Sequence, residues 1–253
     1  MRAEYGWRGR VGVIVPPANG TVEPELAAML PSGVALHAAR LPGRVVEDTS
    51  VGLRERFLGY NRSLAAVADS FGGMALSAVC LGVTGCCYLA GTDGEEALLS
   101  DLRAGGAPHA ITAARALRVL LEALGRLRIG LVVPYPAWVT ELATAYWRSS
   151  GFEIAEIVPL PDVVSIYAVD TGKVVAAAEG LRASGADVIL LSGTGVPTLP
   201  AIERLAGSLG VPVISSNLAL GWWILRTLDG IDPGESPAPG LRQLGRWLAP
   251  AGR

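Results

Sequence analysis

All three cysteines of the chain lie within one short stretch, CLGVTGCCYLAG at residues 80 to 91. A thiol at the start of a helix can have a lowered pKa, so Cys86 is a candidate nucleophile or proton donor. The alternative for a small apolar side chain here is packing against a sheet. Cys86 and Cys87 are adjacent, which is not the C-x-x-C spacing that lets two thiolates bind one zinc ion. Because the stretch also holds Thr84 beside a glycine, its chemistry is open between a thiol and a hydroxyl.

Three further loops combine polar residues with glycine or proline after an apolar run: PPANGTVE (16 to 23), PYPAW (134 to 138) and SGTGVP (192 to 197). With GVTG, they offer hydroxyl, phenol, amide and backbone N–H donors, a set that suits a carboxylate or an enolate oxygen. These donors belong to Asn19, Thr84, Gly85, Tyr135, Thr194 and Gly195. Ordinary strand-to-helix turns with Thr or Asn caps are the alternative for any one loop. Together, the four loops predict a site for a small anion.

Other chemistries lack a motif. No G-x-G-x-x-G follows the first apolar run and no G-x-x-x-x-G-K-[ST] occurs, so we predict no nucleotide cofactor. The histidines, His37 and His109, lie in or at the edge of apolar runs and are expected to pack in the core, so we predict no metal site. A Ser-His-Asp triad would lack its G-x-S-x-G turn.

Composition limits the partners and the compartment. A net charge of -2 and a pI near 5.8 argue against nucleic acid or an anionic membrane surface. No apolar run reaches the ~20 residues that span a bilayer. The N-terminal MRAEYGWRGR lacks the features of an export signal, and three cysteines do not form a disulfide framework, so we expect a cytoplasmic protein. The apolar composition, 51% of the chain, is compatible with a homo-oligomer.

An internal repeat predicts the architecture that positions these loops. The matched pairs are RVGVIVP with RIGLVVP, GMALSAVCLGVTG with GADVILLSGTGVP, and APHAITAARALRVLLEALG with VPVISSNLALGWWILRTLDG. Each first run is a short β-branched segment that ends in proline, as in a strand buried on both faces of a parallel sheet. Helical patterns lie between the runs, which indicates right-handed βαβ units. We therefore predict two pseudosymmetric α/β lobes, each with a four-stranded parallel sheet flanked by helices.

The repeat also predicts where the lobes and the site lie. We expect residues 1–114 with 217–253 to form the first lobe and residues 115–216 to form the second. Ligands of doubly wound sheets bind outside the carboxyl ends of the strands, so the site should lie in the cleft between the lobes. The tail ESPAPGLRQLGRWLAPAGR has little to pack and is expected to be a surface extension or a dimer contact.

Four segments resemble the aspartate/glutamate racemase superfamily, and within it the branch of maleate cis-trans isomerases and arylmalonate decarboxylases. They are VPPANGTVEPE, GVTGCCYLAG, VVPYPAWVTEL and LLSGTGVPTLPAI, and the resemblance extends from residue 10 to residue 230. It implies two flavodoxin-like lobes with the active site between them. It also implies chemistry with one cysteine on each lobe, but Val83 and Gly193 stand at those two positions. Neither residue can transfer a proton or attack carbon.

The resemblance assigns roles to the remaining loop residues. It implies catalytic roles for Thr84, Tyr135 and Thr194. It implies substrate contacts for Pro17, Asn19, Val83, Gly85, Gly193 and Gly195. Gly85 stands where the family usually has a serine, which predicts a lost donor and an enlarged pocket. Asp162 and Asp170 flank a connection that closes over the site in this family, and either could be an acid or a helix cap.

Three functions fit these residues. The first is a cysteine-independent lyase, decarboxylase or isomerase that binds a small carboxylate or 1,3-dicarbonyl substrate and stabilises an enolate-like intermediate, with no cofactor. The second is a non-catalytic homologue that binds a small carboxylate. The third is an isomerase that uses Cys86 as a displaced catalytic thiol.

Overall fold

The computed structural model of the protein describes residues 4–43, 50–161, 165–228 and 231–248. Asp162 lies outside these residues. Within the described residues no helix is long and apolar enough to cross a membrane.

The first half of the chain forms a four-stranded parallel sheet with strand order β2-β1-β3-β4. Its strands are β1 (Gly9–Val15), β2 (Val34–Arg40), β3 (Ala78–Leu81) and β4 (His109–Thr112). The helices of this half are α1 (Val22–Met29), α2 (Ser50–Asp69), α3 (Gly85–Arg103) and α4 (Ala113–Leu124). The central strand β3 is buried along its whole length, as its apolar sequence AVCL predicts.

The second half repeats this arrangement with strand order β6-β5-β7-β8. Its strands are β5 (Arg128–Val133), β6 (Glu153–Pro159), β7 (Val188–Leu191) and β8 (Val213–Ser215). The helices are α5 (Ala137–Ser149), α6 (Thr171–Gly180), α7 (Leu199–Arg204), α8 (Ser216–Thr227) and α9 (Pro239–Leu248). Two sheets with the same strand order confirm the predicted α/β fold of two similar lobes, while the predicted lobe boundaries stay a prediction.

The last strand of each sheet passes into a helix without a loop. The Thr112 hydroxyl accepts the backbone N–H of Arg115 at the start of α4, and the Ser215 hydroxyl accepts that of Leu218 at the start of α8, both at 3.1 Å. A capping hydroxyl of this kind satisfies a backbone donor that has no partner within the helix. The helices α4 and α8 then pack against each other. The same cap therefore occurs at the same place in both halves of the repeat.

The C-terminal tail differs from its expectation. It forms α9, in which Leu241 and Leu244 are buried, and this helix packs on α4, α7 and α8. The sequence GLRQLGRWL places its leucines three residues apart, so they share one helix face. This leucine face packs in the core, although the Pro- and Gly-rich composition of the tail suggests little apolar surface.

Candidate active site

A cavity of about 690 Å³ lies at the carboxyl ends of the strands, between the two sheets. Loops that follow β1, β3, β5 and β7 contribute Asn19, Thr84, Tyr135 and Thr194 to its lining. Side chains of α2 and of residues 165–167 line the remaining wall. The cavity thus lies where the repeat predicts a ligand site.

Thr84 and Tyr135 join the two lobes at this cavity. Thr84 occupies the N-cap position of α3, but within the described residues its side chain makes no capping bond. Its hydroxyl instead lies 2.5 Å from the Tyr135 hydroxyl, which follows β5 in the other lobe. The hydroxyl therefore does not cap the helix, and the Thr84–Tyr135 pair lies at the cavity.

The hydroxyl pair continues into the protein interior. The Tyr135 hydroxyl lies 3.3 Å from the hydroxyl of Ser192, which follows β7. Ser192 in turn lies 2.9 Å from the hydroxyl of Tyr88 in α3. Ser192 and Tyr88 are each only 2% exposed. Sequence reasoning missed both residues, although Tyr88 lies in CLGVTGCCYLAG and Ser192 in SGTGVP, because no local pattern shows that their hydroxyls meet.

The Asn19 side chain bonds to the start of α1 through its oxygen and to the opposite lobe through its nitrogen. Its side-chain oxygen accepts the backbone N–H groups of Thr21 at 2.9 Å and Val22 at 3.1 Å, so it caps the start of α1. Its side-chain nitrogen donates to the Thr194 hydroxyl at 3.4 Å. An amide nitrogen carries two protons, and within the described residues only one of them has a partner.

Thr194 makes contacts that hold the loops together. Its hydroxyl donates to the carbonyl of Gly82 at 2.8 Å, across the lobe boundary. Its own carbonyl accepts the side-chain amide of Asn217 at 3.1 Å. A hydroxyl has a single proton, which Gly82 already receives, so the geometry favours a positioning role for Thr194 over donation to substrate.

A buried carboxylate, Glu25, binds Asn217, which in turn holds the Thr194 carbonyl. It accepts the backbone N–H groups of Thr198 at 2.6 Å and Leu199 at 2.8 Å. It also accepts the Thr198 hydroxyl at 2.9 Å and the Asn217 amide at 2.7 Å. Burial raises the pKa of Glu25, and these hydrogen bonds act against that increase. Its partners lie far away in the sequence, so no local pattern indicates this role.

Large side chains occupy the space beside the glycines of the site loops. This packing corrects the expectation of an enlarged pocket. A Cβ at Gly85 would lie 2.3 Å from the ring of Phe57, so the space of the missing side chain is occupied by α2. A Cβ at Gly195 would lie 2.8 Å from the ring of Tyr167. Gly193 has a φ of +100°, and its Cβ would lie 2.8 Å from Pro134. These glycines permit close approach of neighbouring side chains.

This packing makes Gly85→Ser a test of the site loop. Restoring a serine would place its Cβ against Phe57, so we expect a free energy of unfolding lower by about 1–3 kcal/mol, typical of overpacking. The double variant Gly85→Ser with Phe57→Leu should recover part of this loss, as measured by denaturant unfolding. A single variant as stable as the wild type would show that the Phe57 ring can move aside, and would contradict this prediction.

The structure separates the residues expected to contact substrate. Asn19, Val83, Gly85 and Gly195 line the cavity. Pro17 is exposed and does not belong to the described lining, to which its neighbours Pro16 and Ala18 contribute instead. Because Pro16 and Pro17 are adjacent, the sequence does not show which of them faces inward. Gly193 is buried behind Pro134 and Tyr135, outside the described lining.

The cysteines are buried and do not belong to the described lining of the cavity. Cys86 is 0% exposed and does not belong to the described lining. Its pKa is raised well above the usual range by hydrogen bonding to Cys87 and by burial. The Cys87 thiol donates to the Val83 carbonyl at 2.9 Å. The hydrogen bond with Cys87 and burial both keep the Cys86 thiol protonated, which disfavours Cys86 as a displaced catalytic thiol.

Arg56 is the one charged side chain in the described lining of the cavity. It lies on α2, and the described residues offer it no ion pair. Its charge lowers the pKa of Tyr60 and of Tyr167, which also line the cavity, although burial raises both pKa values. Sequence reasoning missed Arg56 because one arginine on a polar helix face carries no signal.

The remaining candidates serve other purposes. His109 is exposed at the start of β4 and His37 is half-buried in β2, so neither is the fully packed core histidine that was expected. Among the described residues, no group of three or more His, Cys, Asp or Glu could hold a metal ion. Asp170 caps α6 by accepting the backbone N–H of Lys173 at 3.0 Å.

Comparison with known proteins identifies the relatives of this fold and site. The chain is 30% identical to a maleate isomerase of Geobacillus stearothermophilus over 87% of this chain and 92% of that protein. It is 28% identical to an arylmalonate decarboxylase of Bordetella bronchiseptica over 92% and 95% of the two chains.

Solved structures agree with this relationship. A Nocardia farcinica maleate cis-trans isomerase mutant with a covalently bound succinylcysteine intermediate matches with a TM-score of 0.79 at 26% identity, over 94% and 98% of the chains. A liganded arylmalonate decarboxylase double mutant matches with a TM-score of 0.76 at 29% identity, over 90% and 97%. The resemblance found in the sequence is therefore confirmed. Because the family model for arylmalonate decarboxylase matches residues 11–239, the chain belongs to this family of cofactor-independent decarboxylases and isomerases.

Proposed function

We propose that the protein is a cysteine-independent enzyme that acts on a small carboxylate or 1,3-dicarbonyl substrate through an enolate-like intermediate. The observation that carries this proposal is the Thr84–Tyr135 hydroxyl pair, 2.5 Å apart at the cavity where the lobes meet. The free N–H of Asn19 adds a second donor. Donors that are already oriented stabilise a developing oxyanion without reorganisation, and the effect of one such donor reaches several kcal/mol.

The reaction needs few groups from the protein. In a decarboxylation, the C–C bond to the carboxylate breaks, carbon dioxide leaves, and the electron pair remains as an enediolate. The hydroxyl pair and Asn19 stabilise its oxygen atoms, and the carbon then takes a proton from Tyr135 or from water. Burial raises the pKa of Tyr135 to about 12, so its phenol stays protonated and available as a donor. An isomerase would use the same oxyanion stabilisation without loss of carbon dioxide.

Arg56 supports an anionic substrate. A guanidinium that lines a cavity and has no carboxylate partner in the described structure can pair with a substrate carboxylate. We expect Arg56→Gln to raise KM by about 10-fold or more, in line with the 1.5–3 kcal/mol of a hydrogen bond to a charged group. The control is Arg54→Gln, since Arg54 lies on the same helix but packs over Trp138 outside the described lining. Equal KM values for the two variants would contradict this role.

A non-catalytic carboxylate-binding protein is the second candidate. The observation that favours it is that no cysteine belongs to the described lining of the cavity. Steady-state assays with phenylmalonate and maleate decide between the two. Binding of either compound without turnover would support the second candidate and refute the first.

Thiol modification tests independence from cysteine. All three thiols are buried. Burial raises the pKa of Cys80, and hydrogen bonding to Cys87 together with burial raises the pKa of Cys86. We expect iodoacetamide to leave the activity of the folded protein unchanged, because protonated and buried thiols react slowly. Cys86→Ala should likewise keep at least half of the wild-type kcat. Loss of activity in this variant, with an unchanged melting temperature, would instead favour the displaced thiol.

A further inference from the structure

Four hydroxyl groups form a single file from the cavity into the core. Their order is Thr84, Tyr135, Ser192 and Tyr88, with oxygen separations of 2.5, 3.3 and 2.9 Å. Thr84 and Tyr88 belong to one lobe, whereas Tyr135 and Ser192 follow strands of the other. The proposed reaction uses only the outer pair, so the inner pair needs a separate account.

Counting protons restricts how this file can be arranged. Each hydroxyl carries one proton, so four protons serve three hydrogen bonds and one proton is left over. The left-over proton is costly where it is buried, because an unpaired buried donor loses its hydrogen bond to water. At the cavity, the same proton can reach a ligand or a water molecule.

The inner end cannot take the left-over proton at low cost. Tyr88 and Ser192 are buried and, unlike the outer pair, do not belong to the described lining of the cavity. Within the described residues, Ser192 is the only hydrogen-bond acceptor found for the Tyr88 hydroxyl. The neighbouring indole N–H of Trp147 can only donate. All buried protons are paired only if Tyr88 donates to Ser192 and Ser192 donates to Tyr135.

We propose that Ser192 and Tyr88 are positioning residues that fix the direction of this hydrogen-bonded file, so that its spare proton always faces the substrate from the Thr84–Tyr135 pair. The direction of the hydrogen bonds is independent of the reaction, whereas the benefit to catalysis rests on the proposed function. Since the described file ends at a buried tyrosine, it orients a donor and offers no route for protons from solvent. An outward-facing donor for the oxyanion is therefore present in the folded protein before any substrate binds.

Neutron diffraction from a deuterium-exchanged crystal of the whole protein tests the direction without any ligand. The expected result is a Ser192 deuteron on the side of Tyr135 and a Tyr88 deuteron on the side of Ser192. A Ser192 deuteron that points to Tyr88 would overturn the inference. This measurement does not depend on turnover, so it separates the inference from the proposed function.

Kinetics test the consequence for catalysis. Ser192→Ala removes the hydrogen bond that Ser192 donates to the Tyr135 oxygen, so the phenol is no longer held in its position beside Thr84. We expect kcat to fall about 10-fold with KM little changed, as for an interaction made in the transition state. The matched control is Ser216→Ala, because Ser216 is also buried and its hydroxyl has no partner in the described structure. Unchanged kcat in Ser192→Ala, or an equal decrease in both variants, would overturn the positioning role.

A third variant separates catalysis from stability. Ser192→Ala leaves the buried Tyr88 hydroxyl without its acceptor, so its melting temperature should fall. Tyr88→Phe combined with Ser192→Ala removes that orphan and should recover the melting temperature but not kcat. Recovery of both would show that Ser192 acts only through stability, which overturns the inference. Correct deuteron positions with no wild-type turnover would instead refute only the proposed function.

Discussion

We expect Tyr135→Phe to lower kcat by about 100- to 1,000-fold, the usual effect of removing one oxyanion donor. The substitution removes the phenol oxygen that lies 2.5 Å from Thr84 and 3.3 Å from Ser192. It therefore removes the outward donor and interrupts the file of hydroxyls behind it. Because the interaction belongs to the transition state, kcat and kcat/KM should fall together in steady-state assays.

Tyr167→Phe is the control for this variant. Tyr167 lines the same cavity but has no place in the hydroxyl file, so the loss of its oxygen should change kcat by less than about 5-fold. Wild-type kcat in Tyr135→Phe would contradict the mechanism.

The pH profile gives an independent check on Tyr135. With a pKa raised to about 12 by burial, its donor form is present below that value and is lost only as pH rises through it. We therefore expect a flat kcat between about pH 7 and pH 10, without the inflection near 8.5 that an ordinary thiol would give.

Glu25→Gln should have the largest effect on stability. Glutamine keeps one oxygen, but its NH₂ group would face the Asn217 amide and the Thr198 hydroxyl, which both donate to the carboxylate. The Thr198 hydroxyl can still donate to Ser215, 2.8 Å away. The Asn217 N–H lacks an acceptor, however, and the backbone N–H groups of Thr198 and Leu199 lose a charged one. We therefore expect the free energy of unfolding to fall by about 2–4 kcal/mol. Denaturant unfolding measures this loss.

Glu23→Gln provides a matched control on the same helix. Glu23 forms a partly exposed ion pair with Arg40, and such pairs contribute at most about 1 kcal/mol. If Glu25→Gln were no more destabilising than Glu23→Gln, the carboxylate would not hold the lobes together. A loss of activity in Glu25→Gln under conditions where it remains folded would further indicate that Asn217 and Thr194 position the site loops.

The sequence was sufficient for the fold and for the position of the cleft. Runs such as RVGVIVP and RIGLVVP are buried on both faces, and their repetition reveals two equivalent sheets. The carboxyl ends of parallel strands meet at one edge, which explains why Asn19, Thr84, Tyr135 and Thr194 lie around one cavity. The internal repeat and the apolar runs that end in these loops carry this information.

The contacts within the site could not be predicted in the same way. The space beside Gly85 depends on Phe57, which α2 supplies from elsewhere in the chain. The direction of the Thr194 hydroxyl depends on the Gly82 carbonyl in the other lobe. For Cys86, a helix start suggests an acidic thiol, but hydrogen bonding to Cys87 and burial raise its pKa. Each outcome depends on long-range packing, which local patterns do not contain.

The pairing of Thr84 with Tyr135 couples activity to the fit of two lobes. One oxygen comes from each side of the boundary, so a shift of about 1 Å between the lobes would take the pair from 2.5 Å to the limit of hydrogen bonding. Such a shift would leave the hydrogen bonds and apolar contacts within each sheet in place. Activity should therefore disappear at lower denaturant concentrations than secondary structure does, which would make catalysis a sensitive gauge of how tightly the halves of this duplicated fold are joined.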